Sequence, residues 1–167
     1  FTQTDYSMLV ACVAFALIGF VDDYVVPRMK AKKRGLGWKQ KIVMQLVAAV
    51  GAAMLIPQFA GDWKMIGLAA FFILFFSNAF NFLDGLDGLA GGVLVVLGLW
   101  FGANSLNYPV GWILIGATIP FLLLNAPPAR VFMGDVGSLP IGAVLGILNV
   151  SWIAAPDTGW TTNWPNI

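Results

Sequence analysis

Histidine and glutamate are absent from this sequence, and cysteine occurs once. Without histidine or a second cysteine, the usual zinc ligand sets are missing and no disulfide can close within the chain. Cys12 lies in an apolar run and reads as a small buried or lipid-facing hydrophobe, not as a redox or metal residue. Charge of either sign is scarce. Only 10% of the 167 residues are charged, where a soluble domain carries about 25%. Hydrophobic residues make up 59% and the mean hydropathy is +0.84. Too few polar residues exist to cover a water-exposed surface, so part of the solvent must be lipid. The net charge of +1 excludes little, and nucleic acid is not an expected partner. The chain begins at Phe1, and Ser7–Val21 lacks both a basic n-region and a small-residue cleavage site. It does not read as a signal peptide, and the sequence is expected to be an internal piece of a longer protein.

Apolar stretches recur at Ser7–Val21, Ile42–Ala60, Met65–Phe80, Leu89–Ala103, Pro109–Leu124 and Leu139–Ala155. Each is near or below the roughly 20 residues that cross a hydrocarbon core, with polar and aromatic flanks to extend it. The runs are continuous, not alternating, which favours helices over barrel strands. Glycine, alanine and serine within them suit closely packed membrane helices. The expected fold is therefore all-α: a polytopic transmembrane bundle of about six spans, forming a single integral membrane domain over residues 1–167.

Orientation follows from the basic residues. Arg28, Lys30, Lys32, Lys33, Arg34, Lys39 and Lys41 place seven of the nine Lys and Arg in one connection, residues 27–41. Such a loop is expected on the cytoplasmic side, where it can also meet anionic headgroups or hold phosphate. Counting spans onward puts 57–64 and 104–108 outside, and 81–88 and 125–138 inside. Trp63, Trp100, Tyr108, Trp112, Trp152, Trp160 and Trp164 then fall near outer ends, as interface anchors do.

This topology gathers the acids. All eight are aspartate, and Asp22, Asp23, Asp84, Asp87 and Asp135 converge on the inner side from three distant connections. Asp5, Asp62 and Asp157 fall outside and read as solvated loop residues. Carboxylates at a bilayer edge need pairing, hydration or a cation. Aspartates and asparagines suit a hard ion such as magnesium, which uses one or two carboxylates together with substrate phosphates. A lone aspartate would read as a helix cap; five on one side do not.

Two segments, 78–92 and 125–138, stand out as candidate active-site segments. In Asn78–Gly92 (NAFNFLDGLDGLAGG), Asn81, Asp84 and Asp87 recur every three residues, so a helical end would align them. Gly85 and Gly88 would let a ligand approach the backbone. The acid spacing is not that of an EF-hand loop. In Asn125–Ser138 (NAPPARVFMGDVGS), Pro127 and Pro128 end a helix. Gly134 and Gly137 flank Asp135, and Phe132 would stack on a flat ring or serve in packing.

Four motifs occur in order: GFVDDY (Gly19–Tyr24), GLGWKQK (Gly35–Lys41), NAFNFLDGLDGLAGG (Asn78–Gly92) and NAPPARVFMGDVGSLPIG (Asn125–Gly142). Together they resemble the polyprenyl-phosphate N-acetylhexosamine-1-phosphate transferases over essentially the whole chain. The GL-x-x-x-QK end of the basic loop and the NAPPARVFMGD form resemble the phospho-N-acetylmuramoyl-pentapeptide branch more than the GlcNAc-1-phosphate branch. The resemblance implies that Asp22 and Asp23 match paired aspartates proposed to handle the lipid phosphate nucleophile, and that Asp135 matches the magnesium-binding aspartate. It further implies that Asn81, Asp84 and Asp87, with Asn125 nearby, belong to the nucleotide-sugar site. By the same likeness Phe132 stacks on uracil and Lys41 is a basic residue of the same cytoplasmic cleft.

The implied reaction is transfer of phospho-N-acetylmuramoyl-pentapeptide from UDP-MurNAc-pentapeptide to undecaprenyl phosphate, with UMP leaving, at the cytoplasmic face of a bacterial inner membrane. Magnesium is the implied cofactor and a homodimer a candidate assembly. Two departures stand out. Val26 occupies a position where the family usually has lysine, and the family's histidine-containing loop has no counterpart here. The fragment alone is accordingly expected to be inactive. A cation transporter is the competing class, but transporters place ionisable groups near the midplane, whereas span interiors here hold few polar residues beyond Gln45.

Overall fold

The structure, a computed structural model, describes residues 3–30, 35–104 and 110–154. Lys32, Lys33, Arg34, Tyr108, Asp157, Trp160 and Trp164 lie outside the described residues, as do the side chains of Asp5 and Lys30. In chain order the elements are α1 (Gln3–Phe20), a π-helical turn (Val21–Val25), α2 (Val26–Lys30), α3 (Trp38–Ala53), a 3-10 turn (Pro57–Phe59), α4 (Trp63–Leu83), α5 (Leu89–Asn104), α6 (Val110–Asn125) and α7 (Gly134–Ile153). No strand occurs among the described residues. Three segments are long and apolar enough to cross a membrane: Tyr6–Met29, Trp63–Leu83 and Gly134–Ile153; Leu89–Ala103 and Val110–Asn125 are shorter apolar helices. The chain is an all-α, multi-pass membrane protein.

Two helix boundaries depart from the apolar runs. The run 42–60 folds as α3, beginning at Trp38 inside the basic stretch and ending at Ala53. Gly37 is extended at the start of α3, and its N–H donates to Gln40 Oε1 at 3.2 Å. At the far end Ile56 is extended ahead of Pro57, whose ring disfavours helical geometry in the residue before it. Asp62, expected as a solvated loop residue, is exposed and precedes α4, where it accepts the backbone N–H groups of Lys64 and Met65 at 2.9 and 3.2 Å and caps the helix.

The described chain divides into two compact units, Phe1–Asn81 with Gly134–Ile167, and Phe82–Met133. The first has a core of Phe15, Ile18, Ala49, Ala52, Ile73, Leu139, Ala143 and Ile147. Ser7 Oγ donates to Ala52 O at 2.8 Å, and Ser77 Oγ to Leu139 O at 2.9 Å, tying α1 to α3 and α4 to α7. Gly146 lies so close to α4 that an added Cβ would sit 2.7 Å from Ile73 Cα. Such small-residue seams drive helix association where lipid is as apolar as the side chains. Leu9, Val13, Leu17, Val43, Val47, Phe71 and Phe75 point outward, a pattern reversed from soluble proteins and suited to acyl chains. The second unit is the pair α5 and α6, which close through the same kind of seam at Gly98 and Gly111.

Candidate functional site

The π-helical turn is where the first unit acquires its chemistry. One extra residue per turn at Val21–Val25, closed by the bond from Val26 N–H to Val21 O, rotates the following side chains relative to α1. Turns of this kind recur at functional sites. Here the turn lets adjacent residues serve two neighbours. Asp22 reaches toward α3, accepting the Leu36 N–H and lying 3.0 Å from Lys41 Nζ. Asp23 accepts the N–H of Asp135 at 2.8 Å, placing a carboxylate at the N-terminal end of α7, where the helix dipole favours it.

Asp135 is the centre of the cluster. Its Oδ2 receives Lys41 Nζ, and its Oδ1 accepts Asn81 Nδ2 at 2.6 Å. Asn81 Nδ2 also donates to Ser138 Oγ at 2.8 Å, and Ser138 Oγ donates back to Gly134 O at 2.7 Å. Two glycines permit this closeness. Gly134 has φ +62°, and a Cβ there would lie 2.9 Å from Asp23 Oδ2; a side chain would be strained and would block that carboxylate. A Cβ on Gly19 would collide with the backbone of Asp135 and Val136. The structure thus brings together Asp22, Asp23, Lys41, Asn81 and Asp135. Ser138 joins them; it closes the 125–138 segment, three residues after Asp135, but was not among the candidate site residues.

Electrostatically the cluster carries more negative than positive charge, with one ammonium against three carboxylates. Lys41 precedes the apolar run that starts at Ile42. Burial pulls its pKa down, but hydrogen bonds and charge from Asp135 and Asp22 outweigh that and leave it raised. The lysine stays an ammonium. Carboxylate oxygens of Asp22, Asp23 and Asp135 lie within 4.8 Å of one another. Hard oxygen donors of this kind could hold a divalent cation such as magnesium once they close in to its ligand distance. Near the same turn, the Arg28 guanidinium lies 3.3 Å from the Tyr24 ring centroid.

The remaining sequence candidates, Asp84, Asp87, Asn125 and Phe132, lie in the second unit. α4 ends at Leu83, so Asp84 and Asp87 follow the helix and do not continue the face of Asn81. The aligned helical end expected from their spacing is not formed, because the chain turns through Gly85 and Gly88, the latter at φ +73°. Asp84, which is buried, accepts the Met133 N–H at 3.3 Å. Asp87 Oδ2 accepts the Ala129 N–H at 3.0 Å. Asn125 is fully buried, accepting the Gly88 N–H at 2.9 Å and donating to Val131 O at 2.8 Å. These three side chains brace the main chain of 125–133. Phe132 on that segment is about half exposed, at 49%. Asn125→Ala leaves both of its main-chain partners without their bond and should cost about 1–3 kcal/mol. The fall in thermal midpoint in detergent is the check; an unchanged midpoint would contradict the bracing role.

Comparison with known proteins agrees with the four motifs. Residues 6–153 match the family described as Glycosyl transferase family 4. The chain is similar to the phospho-N-acetylmuramoyl-pentapeptide-transferase of Wolbachia sp. subsp. Brugia malayi, 40% identical over 83% of this chain and 49% of that protein. Proteins of the same name from Nautilia profundicola and Acetivibrio thermocellus are 35% and 34% identical over 85% and 86% of this chain. The chain spans about half the length of the curated relatives it matches, 51% and 50% in these two cases.

Proposed function

The chain belongs to glycosyl transferase family 4, and we propose that the intact protein transfers phospho-N-acetylmuramoyl-pentapeptide from its UDP donor to undecaprenyl phosphate. The single observation that carries this reading is the meeting of Asp22, Asp23, Lys41, Asn81 and Asp135 at helix ends drawn from four separate stretches of sequence. The names of the relatives support the muramoyl-pentapeptide donor. The basic stretch beginning at Arg28 supports a cytoplasmic face for the site.

In this reaction an oxygen of the lipid phosphate attacks the sugar-bearing phosphorus of the donor. The new P–O bond joins lipid phosphate to sugar phosphate, the bond to the UMP oxygen breaks, and UMP leaves with that electron pair. Phosphoryl transfer of this kind depends on positioning and on neutralising charge. Asp22, Asp23 and Asp135 would hold magnesium, which when bound neutralises the charge of the phosphates. Lys41 supplies a fixed positive charge beside the same carboxylates. Asn81 holds Asp135 in orientation through its amide. Asp22 or Asp23 orients the attacking phosphate or takes its remaining proton.

The test is UMP release by the intact protein in detergent, supplied with undecaprenyl phosphate, magnesium and UDP-MurNAc-pentapeptide. Release with this donor, abolished by EDTA and restored by magnesium, is the expected result. Release only with UDP-GlcNAc would keep the chemistry and move the protein to the sister branch. Cation flux without release from either donor would overturn the reading.

A further inference from the structure

One polar contact inside the first unit has no part in the chemistry above. Gln45 on α3 is completely buried, and its Oε1 accepts Asn78 Nδ2 from α4 at 2.8 Å. The same Asn78 nitrogen donates to Leu74 O at 2.8 Å, within its own helix. Deeper along both helices the buried neighbours are apolar, Ala49, Ala52 and Ala53 on α3 and Ile73, Ala70 and Ala69 on α4, apart from Ser77, whose hydroxyl is bonded to Leu139 O on α7. The amide pair is thus a polar rung set between two apolar faces.

Its position matters more than its energy. Lys41 precedes Gln45 by four residues and Asn81 follows Asn78 by three, so on each helix the pair shares a face with one ligand of Asp135. The rise along a helix is about 1.5 Å per residue, which puts the rung roughly 6 Å behind Lys41 and 4.5 Å behind Asn81. Both of those side chains meet the same carboxylate, Lys41 at Oδ2 and Asn81 at Oδ1. A slide of one residue between α3 and α4 would carry one of them out of reach. Apolar side chains between membrane helices tolerate such slides, whereas a buried amide bond accepts one register.

We propose that Gln45 and Asn78 are positioning residues that lock the register of α3 against α4, so that Lys41 and Asn81 converge on Asp135. Stability alone does not explain the pair. Gln45 Nε2 is buried without a hydrogen-bond partner among the described residues, and an apolar side chain of the same shape would remove that cost. The proposal rests on the transfer reading for its kinetic arm only.

The experiment compares Gln45→Met, Asn78→Leu and the exchanged pair Gln45→Asn/Asn78→Gln in the intact protein. The exchanged pair keeps the total length of the rung. Gln45→Met should hold or raise the thermal midpoint while kcat falls by about tenfold or more, as expected for displaced catalytic groups. Donor KM should change far less, and the exchanged pair should recover most of the rate. Amide exchange at Lys41–Gln45 and Asn78–Asn81, followed by mass spectrometry, reads the seating of α3 and α4 without catalysis; it should quicken in Gln45→Met and slow again in the exchanged pair. Wild-type kcat and exchange in folded Gln45→Met would overturn the proposal, as would a rate loss that only tracks a lower midpoint. Wild-type protein that transfers nothing would overturn the functional reading instead, leaving the exchange comparison to decide the register claim.

Discussion

Asp135→Asn in the intact enzyme is expected to lower kcat by about a thousandfold or more, on the scale seen when a group that stabilises transition-state charge is lost. The substitution is nearly isosteric and retains an oxygen to accept the Asn81 amide. It removes the carboxylate that meets Lys41 and shares the cluster with Asp22 and Asp23. The fold should survive, because the Asp135 backbone N–H still donates to Asp23 and α7 stays packed through Leu139, Ala143 and Ile147. Magnesium titration of the residual activity, set beside the thermal midpoint, separates loss of chemistry from loss of structure. A variant with wild-type kinetics would remove Asp135 from the mechanism.

The second large effect comes from a residue with no functional group. Gly19→Ala adds one methyl where α1 meets the start of α7, and that methyl would lie 2.6 Å from the nitrogen of Val136 and against the carbonyl of Asp135. Backbone cannot swing aside as a long side chain can. Overpacking of this kind costs about 1–3 kcal/mol. The displacement falls on Asp135 itself, so kcat should drop by roughly ten- to a hundredfold along with the thermal midpoint. Gly51→Ala is the matched control, since a Cβ there meets nothing within 4 Å. That change should leave activity intact and raise helix stability by about 0.5–1 kcal/mol. Equal behaviour of the two variants would mean that the α1–α7 approach does not position the site.

Much of the fold was legible because lipid imposes long apolar runs. The runs placed by hydropathy at 65–80, 89–103 and 139–155 correspond to α4, α5 and α7, the last described as helix to Ile153. The start of α3 was not legible from hydropathy, because Gly37 and Gln40 decide it through a local hydrogen bond among charged residues. The π-helical turn was invisible too. No residue type demands it, and it exists because Asp22 and Asp23 find partners on two different helices.

For the site, motif order pointed to residues that the fold brings together at Asp135, while spacing misled about which of them share a helical face. Asn81, Asp84 and Asp87 look like one helical face, yet only Asn81 is on the helix and bonded to Asp135. The glycines after Asp84 and Asp87 turn the chain, and those acids then bind main-chain amides at Met133 and Ala129. Asn125 is equally committed to the backbone. Gln45 was noticed only as a polar exception in an apolar run. Its partner Asn78, one turn from Asn81, could be assigned only once α3 and α4 were both in place.

The most direct measurement uses donor labelled with phosphorus-32 in the sugar-linked phosphate, incubated with undecaprenyl phosphate, magnesium and the intact protein. The label should move into the organic-extractable lipid while unlabelled UMP appears in equal amount, and Asp135→Asn should stop both. Sugar in the lipid phase with the label left behind as UDP would mean transfer of sugar without phosphate. That result would contradict the phosphosugar-transfer site assigned to Asp22, Asp23, Lys41, Asn81 and Asp135.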